Sequence, residues 1–121
     1  MTFDVEIVLR DRDHAVTHQL AVPGGGRRSP ADWTDEDVEE LLKAILLAID
    51  RTKNPSSEQR YVALRGFSWI VEPLAQGGVV IAIEIPSGAA VAGPFAAERG
   101  ALDHAITRVL ARAAPVKPVI H

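Results

Sequence analysis

The chain predicts an α+β domain: a two-layer sandwich in the order β-β-α-β-β-α, a mainly antiparallel sheet of about four strands with both helices on one face. Three observations carry this. Apolar and polar residues alternate over 3–9, 16–22 and 79–85, apolar residues recur at helical spacing over 38–49 and 102–113, and turn-forming clusters separate these runs. With 121 residues, 47% hydrophobic and 24% charged, the chain is large enough to bury a core in one domain, expected over 1–114 with a tail at 115–121.

In chain order, Phe3, Val5, Ile7 and Leu9 alternate with mainly polar neighbours and read as a half-buried strand. "RDRDH" then turns the chain, and Val16, His18, Leu20 and Val22 form the return arm, which puts His18 on the apolar side. "SPADWTDED" holds two overlapping helix starts, Ser29 with Pro30 and Thr34 with Asp37 three residues on. Val38, Leu41, Leu42, Ile45 and Ile49 make the buried stripe of the helix that follows, and Leu47 projects from the opposite side.

"KNPSSEQR" ends that helix. In "YVALRGFSWIVEP", Val62 and Leu64 keep one parity and Phe67, Trp69 and Val71 the other, so a glycine bulge at Gly66 is expected to turn all five inward. Val79, Ile81, Ile83 and Ile85 form the last clear strand, stopped by Pro86. "SGAAVAGPFAAERG" reads as a small, flexible crossover in which Gly93-Pro94 opens a second helix, with Leu102, Ala105, Ile106, Val109, Leu110 and Ala113 inward and Pro115 at its end. The parallel between "AVPGGGRRSP" and "EIPSGAAVAGP", each following a second hairpin strand, raises the expectation of one ββα unit used twice.

Composition narrows the function. Without cysteine there is no disulfide, thiolate nucleophile or Cys-bound zinc or iron–sulfur site, and no other cofactor or metal is expected. A formal charge of −3 argues against nucleic acid, which needs a concentrated basic face. "MTFDVEIVLR" has neither the plan of a signal peptide nor the length of a membrane span, so the expected location is cytoplasmic, with no membrane partner.

The most suggestive motif is "GGGRRS". It lacks the Lys-Ser/Thr of a nucleotide-binding P-loop, which leaves Gly24, Gly25, Gly26, Arg27, Arg28 and Ser29 as an anion-binding candidate beside the simpler reading of a tight turn. His14 and His18 share a side of the hairpin but lack enough converging ligands for a metal. Asp103 and His104 are helical neighbours pointing about 100° apart, which rules out a triad-like pair, and Ser68, Ser87 and Thr107 lie in no nucleophile elbow.

The sheet face turned away from the helices is the richer candidate. Val8, Thr17, Ala21, Ile70, Val80 and Ala82 are expected there, mixed with Asp4, Glu6, Gln19, Glu72 and Glu84. Val8, Ile70, Val80 and Ala82 on that face, and Leu47 on the outer surface of the first helix, are the candidate interface residues of a non-catalytic protein–protein interaction module, regulatory, adaptor or toxin-neutralising, that binds another protein or itself as a homodimer through the open sheet face or the helix surface around Leu47. The alternative is a small anionic-ligand-binding domain or minor enzyme in a cleft between the two glycine segments, using Arg27, Arg28, His18 and residues 87–93.

Overall fold

A computed structural model describes residues 2–56 and 62–113. Alternation sets the first strand, β1 (Thr2–Leu9): Phe3, Val5, Ile7 and Leu9 are buried while Thr2, Asp4, Glu6 and Val8 are exposed. β2 (Val16–Ala21) returns antiparallel with Val5 opposite His18, which places the imidazole on the core side. Two short 3-10 turns, Pro23–Gly26 and Pro30–Asp32, lead into helix α1 (Asp35–Lys53).

The helix starts where the sequence places it. Thr34 and Asp37 form a reciprocal capping box, in which the Asp37 N–H donates to Thr34 Oγ1 at 3.2 Å and the Thr34 N–H to Asp37 Oδ2 at 2.9 Å. All five residues of the expected stripe are buried, joined by Ala48.

Strand β3 (Ser68–Pro73) is shorter than the run "YVALRGFSWIVEP" implies. Tyr61 lies outside the described residues. Val62, Leu64, Phe67, Trp69 and Val71 are all at least partly buried, as expected, but no strand bulge achieves it. Gly66 has φ +79° and redirects the chain before the strand begins. The sheet's irregularity falls elsewhere, between Val79 and Ile81, where β4 (Val79–Ile85) pairs with β5.

β5 (Gly88–Phe95) corrects the sequence reading. The stretch taken for a flexible crossover is the central strand of a five-stranded, wholly antiparallel sheet in the order β2-β1-β5-β4-β3, so the sheet has five strands, not about four. Its small residues follow from its position. Ala90 and Ala92 are buried beneath the helices, and at Gly88 an added Cβ would run into the Val8 carbonyl oxygen of β1. Gly93-Pro94, a cis peptide, lies inside this strand and does not open the helix.

The expected duplication fails for the same reason. The first half runs ββα and the second βββα, with a strand where the first half has a turn-rich loop. Helix α2 (Arg99–Ala113) nevertheless buries Leu102, Ala105, Ile106 and Val109 as its stripe predicts. Pro115 and the tail at 115–121 lie outside the described residues. α1 packs on β1, β2 and β5, α2 packs on β3 and α1, and their stripes share one core with the inward residues of the sheet. Phe95 sits between Phe3 and Trp33, with ring centroids 5.2 and 5.3 Å away.

Candidate functional site

The strand residues of the other parity form a face without a covering helix. Register fixes its rows. Thr17, Glu6, Val91, Ala82 and Ile70 lie side by side across all five strands; Val8, Ala89, Glu84 and Ser68 make the next row across β1, β5, β4 and β3. Val8 and Ile70 are each 46% exposed and Val91 42%, an unusual state for three branched aliphatic side chains on one surface. Ala82 lies between Ile70 and Val91, and Ala89 beside Val8, so short side chains floor a shallow groove of about 330 Å³ that Ser68 and Glu84 also line.

Four of the five proposed interface residues thus fall on one surface: Val8 and Ile70 exposed, Val80 and Ala82 half-buried. Leu47, expected on a separate helix surface, lies on α1, which packs against the opposite face of the sheet, and is half-buried there. Val91 and Ala89 belong to a strand whose sequence has the composition of a loop. One signal could have found them: no charged residue occurs between Glu84 and Glu98, whereas a solvated loop of that length normally carries some.

The glycine segment is built to grip α1. Gly24, Gly25 and Gly26 have φ of 66°, 67° and 82°, a left-handed run open only to glycine at low cost. It turns the Gly24 N–H onto Glu40 Oε2 at 3.2 Å and brings Arg28 against Asp37. Arg28 donates Nε–H to Asp37 Oδ2 at 2.8 Å and Nη2–H to Oδ1 at 3.1 Å, and Ser29 Oγ donates to Asp32 at 3.1 Å. Asp37 is only 4% exposed. The Arg28 hydrogen bond, with the Thr34 N–H behind it, holds its carboxyl well below the usual range, at about 2. Three residues of the anion-binding candidate, Gly24, Arg28 and Ser29, therefore donate to carboxylates, while Arg27 extends exposed. The expected cleft between two glycine segments has no second loop, since residues 88–93 belong to β5.

The histidines divide. His14 is exposed, and His18 Nε2 meets Thr52 Oγ1 at 3.0 Å. The Thr52 hydroxyl also reaches Ala48 O at 2.8 Å, and when it donates there it accepts from the His18 ring. His104 is exposed, and Asp103 contributes its backbone carbonyl to Thr107. Among the described residues no three His, Asp or Glu side chains gather as metal donors, and no helix is long and apolar enough to cross a membrane. Set against known proteins, the chain matches no family model, no curated protein and no solved structure.

Proposed function

We propose that this protein is a non-catalytic interaction module that docks another polypeptide on the open face of its sheet. The observation that carries the reading is the joint exposure of Val8, Ile70 and Val91 around the alanine-floored groove, on a sheet whose other face is closed by two helices. Leaving branched aliphatic side chains in water forgoes stabilisation of about 25 cal/mol per Å² of apolar surface, which covering the face would recover. A second copy of the chain and an unlike protein are the two forms such docking takes.

Site-specific photocrosslinking in the native host tests it. A photoreactive residue at position 70 or 91 should give a discrete crosslinked product, and one at position 47 or 104, on the helix side, should not. The product from position 70 should disappear when Val91 is changed to Asp in a chain that keeps its far-ultraviolet circular dichroism. Crosslinks arising from the helix side alone, or from neither side, would overturn the proposal.

A further inference from the structure

The charge on the open face says what kind of partner fits. The outward strand positions carry Asp4, Glu6, Glu72 and Glu84 and no Lys, Arg or His. Four carboxylates give the face a formal −4 against −3 for the whole chain, so the rest of the molecule carries a formal +1. Arg10, one residue past β1, borders the Glu84 corner and is the cation nearest in register.

Ion pairs in the described residues lie elsewhere, on the helix side and the β1–β2 turn. Asp35 is paired with Arg108 and Arg112, Asp37 with Arg28 and Glu39 with Lys43. None of the four carboxylates on the open face takes part in an ion pair among the described residues. Two of them stand against the apolar strip: Glu6 is directly opposite Val91, and Glu84 lies between Ala89 and Ser68 in its row.

Resting on the docking reading above, we infer that the open face takes a protein segment presenting Lys or Arg beside aliphatic side chains, and not a second copy of this chain. Face-to-face pairing of two copies would bring eight carboxylates into one interface, where like charges repel as water leaves. A basic segment reverses that sign. The methylene stem of a Lys or Arg can lie along Ala82, Val91 and Ile70 while its head group reaches Glu6 or Glu84, which satisfies groove and rim with one side chain.

The test is selection from a display library of random sequences, carried both as linear peptides and on a folded helical scaffold, against the whole immobilised chain. The expected binders are enriched in Lys and Arg next to Leu, Ile or aromatic residues. Their binding should weaken at least tenfold in the Glu6→Lys/Glu84→Lys variant and fall as sodium chloride is raised. They should also be lost in Val91→Asp, with circular dichroism checking each fold. Neutral or acidic binders that Val91→Asp removes would overturn the inference and leave the docking face standing. Basic binders indifferent to Val91→Asp would overturn the docking face as well, as would a selection that enriches nothing. A dimer in sedimentation equilibrium that Val91→Asp dissociates would assign the face to a second copy and overturn the inference alone.

Discussion

Arg28 and Asp37 meet as a two-pronged pair at 2.8 and 3.1 Å, joining the end of the glycine segment to the first turn of α1. The same carboxylate caps the helix through the Thr34 N–H, so one buried acid closes the helix start and anchors the loop that leads to it. Glycines that resemble a phosphate cradle in the sequence serve here to bring a guanidinium to an internal anion.

The first prediction concerns pH. With a carboxyl at about 2 in the folded chain against an ordinary value of 3.8, Asp37 contributes stability that is present above about pH 4 and lost as pH falls from about 4 to 2. Because Arg28 is half exposed, the contribution is of order 1–2 kcal/mol after allowance for solvent screening. Urea denaturation between pH 2 and 6 should show that loss in the parent and a shallower slope in Asp37→Asn. Equal slopes would disprove the assignment.

A second prediction compares two isoleucines on neighbouring strands. Ile81 is fully buried on β4, and Ile81→Ala should cost about 2–5 kcal/mol through lost burial and the cavity left behind. Ile70 faces solvent, and Ile70→Ala should change stability by less than about 1 kcal/mol. Denaturant midpoints of the two variants check which face is the core; similar losses would mean that both faces are covered.

Gly88 supplies the third. Its backbone lies so close to β1 that a methyl group would strike the Val8 carbonyl oxygen and come within 3.0 Å of Leu9 Cα. Gly88→Ala should therefore destabilise the protein by about 1–3 kcal/mol, as overpacking does, and separate β5 from β1 locally. Amide hydrogen exchange should then quicken at Ala90 and Ala92 ahead of the β3–β4 pair; unchanged protection there would contradict the close approach.

The fourth concerns His18. If Thr52 accepts from the ring, nitrogen NMR above neutral pH should find the proton on Nε2, and Thr52→Val should erase that preference at a cost of about 1 kcal/mol. A ring protonated on Nδ1 in the parent would break the link between β2 and the end of α1.

What the sequence disclosed and what it hid have physical causes. β1, β4 and both helix stripes were legible because large aliphatic side chains mark a period, and the α1 start because Thr34 and Asp37 have capping chemistry. β5 was hidden because a central strand pressed between neighbours and helices favours Gly and Ala, which blur the alternation, and because glycine and proline ordinarily signal turns. The open face is half legible for that reason: Val8, Ile70, Val80 and Ala82 take their places from the alternation of their strands, whereas Val91 and Ala89 sit in the strand that does not show it. The Arg28–Asp37 pair has no sequence signature, since nothing in the order of residues says that a loop arginine will fold back onto a capping acid.

The placement of β5 bears on how the molecule comes into being. Val5 pairs with Ala92, far from it in sequence, and this seam joins the β1–β2 hairpin to the β3–β4–β5 meander. A growing polypeptide leaving the ribosome would hold β1 with one flank unpaired until residues 88–95 emerged, whatever local structure α1 had reached. Long-range closure of that kind slows folding and leaves a sticky margin during synthesis. The small, uncharged side chains that obscure β5 also let its backbone lie close against β1 at Gly88, so the strand hardest to recognise is the one through which the two parts of the sheet join.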